Sequence, residues 1–123
     1  MRMFDYQRWV NHWMNLCFGP KIPTNRRERG FRFLEEALEL VQTNDIGVTK
    51  AEAHQLVDYV FDRPVGYLDQ EIGGVMVTLT ALCNSVGADM EVCGDTELRR
   101  CYENIEKIRA KQAAKKLRDG ALP

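Results

Sequence analysis

Residues 75–83 read Val-Met-Val-Thr-Leu-Thr-Ala-Leu-Cys. A helix built from them is apolar nearly all round, and such a helix needs neighbours on every side. The nearly apolar run, 72–83, is about a dozen residues, well short of the roughly 20 that span a bilayer. It therefore reads as the centre of a bundle. A chain of 123 residues holds one ordinary core. It has few helices with which to surround this one, so a second subunit is expected to cover part of it. Gly73 and Gly74 stand at its start, each unfavourable by about 1 kcal/mol inside a helix. A pair of them predicts a close approach by another backbone or a ligand.

Helical spacing governs the rest of the chain. Phe4, Trp9, Trp13, Leu16 and Cys17 predict a first helix over 3–18, broken by Gly19, Pro20 and Pro23. Thr24 or Asn25 can cap a second helix reaching Thr43, with Phe31, Leu34, Ala37, Leu38 and Val41 as its stripe. Thr49 and Glu52 form a capping box, so a third helix begins near Lys50 and stops before Pro64. A fourth runs from Leu68 to Ser85 and ends at Gly87. A last one, interrupted at Gly94, covers 96–117. No stretch alternates with period two. The expected fold is an all-α bundle of four or five helices, completed by oligomerisation: one domain over 1–118 and a loose tail over 119–123.

Seventeen basic and 18 acidic residues leave a formal charge of -1. That balance argues against bulk nucleic-acid binding. The N-terminal stretch lacks the apolar core of a signal peptide, so a cytoplasmic protein with no membrane partner is expected. Cys17, Cys83, Cys93 and Cys101 form no CxxC pair, which makes a structural zinc site and disulfides improbable. Cys83 lies in the most apolar segment and is expected in the core.

The chemistry rests on carboxylates. In Glu35-Glu36-Ala37-Leu38-Glu39, Glu36 and Glu39 project from one helix flank with Cβ atoms roughly 5–6 Å apart, and Glu35 and Glu39 form a second near pair. Such like charges repel, and a divalent cation turns the repulsion into attraction. The plain alternative is a solvated acidic face. Glu71 stands at the entrance of the apolar helix and is expected to be partly buried, which would demand an arginine or a metal. The plain alternative is a carboxylate at the positive end of the helix dipole. Three glutamates from two packed helices make a hard-oxygen site suited to Mg²⁺, with Mn²⁺ able to substitute. Arg26, Arg27, Arg29 and Arg32 cluster before it, and Lys107, Arg109, Lys111, Lys115 and Lys116 line the last helix. Each cluster alone can be a solvated face; together with an acidic site they suit an anionic ligand bridged by metal.

Glu36-x-x-Glu39, then Glu71-Ile72-Gly73 opening an apolar helix, then Gly87-Ala88-Asp89-Met90, then Glu106-Lys107-Ile108-Arg109 resemble the MazG-like all-α nucleoside triphosphate pyrophosphatases, in their small single-domain, phage-type branch. The likeness runs from Arg29 to Lys111. The family pattern is ExxE, a spacer, then ExxD. Its final Asp falls on Gly74 here, and Ile108 stands where relatives often carry Asn. The number of metals is left open by that change.

The resemblance implies hydrolysis of a (d)NTP to the monophosphate and diphosphate, acting on the nucleotide pool of the cytoplasm, the host's if the chain is phage-encoded. It implies Glu36, Glu39 and Glu71 as ligands of Mg²⁺ and Glu35 as the group that orients the water or takes its proton. Lys107, Arg109, Lys111 and then Arg32 are the phosphate contacts. Trp9, Trp13 and Tyr67 are candidates for stacking on the base, and Asn11 and Asn84 for hydrogen bonds to it. The small Thr78, one turn beyond Gly74, points to a purine such as dGTP. The working form is a homodimer or homotetramer. Two rivals remain. One is a noncatalytic helical oligomeric adaptor that lost its chemistry with the fourth carboxylate; the other is a nucleic-acid-binding module using 26–32, which the charge balance disfavours.

Overall fold

The computed structural model describes residues 3–116, with side chains over 5–115. The predicted tail at 119–123 and the Lys116 side chain lie outside the described residues. Every regular element among them is helical: α1 (Met3–Phe18), α2 (Lys21–Thr24), α3 (Arg26–Val41), α4 (Lys50–Phe61), α5 (Leu68–Val86), α6 (Met90–Glu103) and α7 (Ile105–Lys116). The all-α expectation holds. Seven helices replace the four or five expected, for two local reasons. The Gly19–Pro23 break folds into the single turn α2 rather than a loop, and the last helix splits in two.

That split falls at Asn104, not at Gly94. Gly94 sits inside α6, where the Tyr6 hydroxyl donates to its carbonyl at 2.9 Å. A Cβ on Gly94 would lie 3.2 Å from that hydroxyl oxygen. The glycine makes room for an aromatic ring rather than a break. Burial, with the nearby Asp95 carboxylate next, pushes the Tyr6 hydroxyl above its ordinary pKa, so it stays a donor.

The helix ends follow their caps. Asn25 Oδ1 accepts from Glu28 N at 3.0 Å and opens α3. Thr49 and Glu52 make the reciprocal capping box of α4. Gly87 adopts φ +68 and closes α5, with Ala88 N donating to Cys83 O at 2.9 Å.

Two compact units divide the chain: 1–34 with 91–123, and 35–90. The first contains every buried residue among those described. Met14, Cys17 and Leu98 are its apolar centre, and Glu28 and Gln112 are buried with them. The core cysteine is thus Cys17. Cys83, expected there, is only half-buried because its helix is uncovered. Polar clamps hold this unit together. Trp13 Nε1 donates to Cys101 O at 3.1 Å. Arg109 Nε donates to Cys17 O at 2.6 Å and its Nη2 to Leu16 O at 3.0 Å, which caps the last turn of α1. Glu28 accepts from Arg29 at 3.0 Å and from Gln112, tying α3 to α7.

The second unit holds the end of α3, all of α4 and all of α5. None of its described residues is buried, and its helices do not pack on one another as α1 packs on α2 and α7. Most large apolar residues of α4 and α5 are exposed, Leu56, Val57, Val60, Phe61, Leu68, Ile72, Val75, Met76 and Val77 among them, while Leu79 and Leu82 are half-buried. Among the described residues, no single helix is long and apolar enough to cross a membrane.

Candidate functional site

The candidate acidic residues belong to the second unit, on two helices. Glu35, Glu36 and Glu39 come from α3, and Glu71 from the first turn of α5. Glu36 and Glu39 are exposed on one flank of α3, and Glu35 is half-buried. Neither Glu36 nor Glu39 has a hydrogen-bond or ion-pair partner among the described residues. The pair therefore keeps all its lone pairs for a ligand. Two carboxylates with open water positions fit a magnesium ion, which binds through one or two protein oxygens and retains several waters.

Glu71 departs from expectation: it is exposed rather than partly buried. Its side chain folds back over the loop before α5, so that a Cβ on Gly66 would overlap its carboxylate. Gly66 leaves the space that this rotamer uses. Among the described residues of the single chain, no three His, Cys, Asp or Glu side chains converge closely enough to hold a metal. The physical reason is the missing packing of α3 on α5. Gly73 and Gly74 likewise have nothing within 4 Å of where a Cβ would stand, so the close approach expected of them is absent from the single chain.

Further along α5, Thr78 Oγ1 donates to Gly74 O at 2.9 Å. The hydroxyl lies against its own helix, and the methyl and Cβ form the outward surface. Asn84 is exposed in the last turn of α5, and Tyr67, just before α5, is 82% exposed.

The predicted phosphate contacts and Trp13 belong to the first unit. Lys107 and Lys111 are exposed on α7, one turn apart. Arg109 is not a free cation: besides capping α1, its Nη1 pairs with Glu106 at 3.1 Å. Arg32 is half-buried on α3. Trp13 is anchored through Cys101 O and meets Phe18 edge-on with ring centroids 5.8 Å apart, a packing role rather than an open stacking face.

One cluster escaped the sequence reading. Tyr102 donates to Trp9 O at 3.0 Å, which leaves its oxygen to accept from His12 Nδ1 at 2.7 Å. Burial pushes the Tyr102 hydroxyl above its ordinary pKa and keeps it a donor. Shallow depressions flank Trp9, one of about 370 Å³ lined by Asp95, Leu98, Arg99 and Tyr102, the other of about 300 Å³ lined by Asp5, Arg8 and His12. The only sequence signal was Trp9 and His12 at helical spacing; Tyr102 arrives from 90 residues away.

No protein-family model, curated protein or solved structure matches this chain.

Proposed function

We propose that the chain is a metal-dependent nucleoside triphosphate pyrophosphohydrolase of the MazG-like type, converting a (d)NTP and water to the monophosphate and diphosphate in the cytoplasm. It works as a homodimer or homotetramer. The observation that carries this reading is the Glu36–Glu39 pair: two adjacent carboxylates on one exposed helix flank with no cation partner among the described residues. The resemblance of the ordered motifs 36–39, 71–73, 87–90 and 106–109 supplies the substrate class.

Glu36 and Glu39 would hold Mg²⁺, joined by Glu71 once α5 is brought against α3. The ion supplies Lewis acidity and lowers the pKa of bound water. Glu35 takes a proton from the attacking water as its oxygen bonds to the α-phosphorus. The α–β phosphoanhydride bond breaks, and the diphosphate leaves with the electron pair. By the resemblance, Lys107, Lys111 and Arg32 would balance charge on the triphosphate. Arg109 serves that set mainly by holding α7 to the end of α1. With glycine rather than a carboxylate at position 74, waters and phosphate oxygens would have to supply the ion's remaining ligands. Thr78 beside Gly74 offers a small surface to the base, which favours a purine such as dGTP.

A second reading, a noncatalytic helical oligomeric adaptor, is favoured by the dispersed carboxylates of the single chain. Glu39→Gln separates the two. On the catalytic reading it abolishes diphosphate release from every common (d)NTP in Mg²⁺ or Mn²⁺, while the helical circular dichroism persists. Near-full turnover would remove Glu39 from the site. A wild-type chain that neither releases diphosphate nor gains thermal stability with metal and nucleotide is the adaptor.

A further inference from the structure

We infer that the first unit binds a single-stranded nucleic acid, with Trp9 as the ring on which a base stacks. The formal charge of -1 hides a segregation. The first unit, 1–34 with 91–123, holds 15 basic and eight acidic residues, a net of +7; the second, 35–90, holds two basic and ten acidic, a net of -8. A charge of +7 over about half the chain is the electrostatic footprint of a polyanion-binding surface, and the balance of the whole chain conceals it. Lys21, Arg26, Arg99, Lys107 and Lys111 are exposed on this unit and have no hydrogen-bond or ion-pair partner among the described residues.

The same unit carries an open aromatic ring. Trp9 is 50% exposed. His12 and Tyr102 meet its ring edge-on, with centroids 5.6 and 6.4 Å away, and Tyr102 donates to its carbonyl at 3.0 Å. The indole is thus braced from its own unit while half its surface stays open. The two depressions that Trp9 borders each hold an exposed arginine and a half-buried carboxylate: Arg99 and Asp95 in one, Arg8 and Asp5 in the other. An open ring among cations is the arrangement that holds a single strand, whose bases stack on aromatic faces while the cations meet its phosphates. The carboxylates select the occupant further. They repel a bare anion, but they accept hydrogen bonds from the amino groups of bases. A duplex keeps its bases stacked on one another, so the unpaired strand is the form whose bases can reach the indole.

Binding of this kind goes beyond the catalytic reading and uses neither its glutamates nor a metal. It is therefore measured in EDTA, and its failure leaves that reading standing. The full chain is added to a labelled 20-nucleotide DNA of mixed sequence, and fluorescence anisotropy is followed from about 50 to 200 mM salt. Kd should be about 10 μM or tighter at the lower salt and rise roughly tenfold across the range. Trp9→Ala should weaken binding roughly tenfold, the loss of one stacked base. Arg99→Ala should weaken it about threefold and flatten the salt dependence, while Arg63→Ala, which removes a cation from the acidic unit, should leave it unchanged. Should Trp9→Ala fail to fold, Arg99→Ala against Arg63→Ala still decides. No binding at about 100 μM chain and 50 mM salt overturns the inference, whether or not the chain then binds anionic phosphatidylserine vesicles. So does equal loss in Arg99→Ala and Arg63→Ala, or a duplex of the same sequence bound as tightly. Full displacement of the DNA by about 100 μM of any common (d)NTP also overturns it, since Trp9 would then be a contact for the free nucleotide.

Discussion

Replacing Arg109 tests whether α7 is a scaffold or a phosphate hand. Its guanidinium donates to Cys17 O and Leu16 O, two carbonyls that the end of α1 leaves without helical partners. A hydrogen bond to a charged group contributes about 1.5–3 kcal/mol net. The side chain is 48% exposed, so water replaces part of each bond. Discounting by half leaves about 2 kcal/mol for the pair. For a chain of this size, that is a fall in Tm of roughly 6–10 °C for Arg109→Ala. Arg109→Lys keeps the charge, but one ammonium cannot span both carbonyls as the planar fork does, so it should recover less than half of the loss. The assay is thermal unfolding by circular dichroism without nucleotide, with diphosphate release measured beside it. If Arg109→Ala leaves Tm unchanged while KM for the triphosphate rises, and Arg109→Lys restores KM, the capping argument is wrong and the residue is a phosphate contact.

Two further outcomes follow from the caps and the buried carboxylate. Hydrogen bonds from the Thr49 backbone and hydroxyl hold the Glu52 carboxyl below its ordinary value of 4.5. A lowered folded value means that its stabilisation is present above that value and is lost as pH falls through the folded one; melts of Glu52→Gln should therefore run below wild type at pH 7 and converge with it in acid, and a gap independent of pH would contradict the capping account. Glu28→Ala strips the acceptor from Arg29 and from the buried Gln112 amide and should destabilise the chain by about 2–4 kcal/mol in urea unfolding, whereas a change under 0.5 kcal/mol would show that water already serves these groups.

What the sequence made legible was local. The capping box at Thr49, the Gly87 stop and the limits of α1 and α5 depend on residues within a turn or two of each other, and each was found where the pattern put it. The long-range features were not legible. Gly94 looks like a helix breaker until Tyr6, 88 residues away, is seen against it. Arg109 looks like any surface cation until α1 arrives beneath it. Cys17 carries no sign that it outranks Cys83 for the core, because Cys83 sits in the more apolar run and lacks only a covering partner. The candidate site divides the same way. Helical spacing alone sets Glu36 beside Glu39, but the position of Glu71 depends on how α5 packs, and no local pattern specifies that.

The two units differ in what stabilises them, and the difference bears on the chemistry. The first has its own buried residues and cross-chain clamps at Glu28, Trp13 and Arg109. The second has apolar helices with no buried residue among those described, and all four candidate catalytic glutamates belong to it. Carboxylates at i and i+3 are placed by the helix that carries them, so Glu36 and Glu39 need only α3. Glu71 needs α5 fixed against a neighbour, which the oligomer of the proposed function would have to supply. If association brought α5 against α3, it and metal binding would favour the same arrangement, and thermodynamic linkage would make each strengthen the other. A subunit laid over α5 would remove water from Ile72, the residue next to Glu71. It would thereby raise the penalty on an unpaired carboxylate there and make a bound cation the favoured way to offset it.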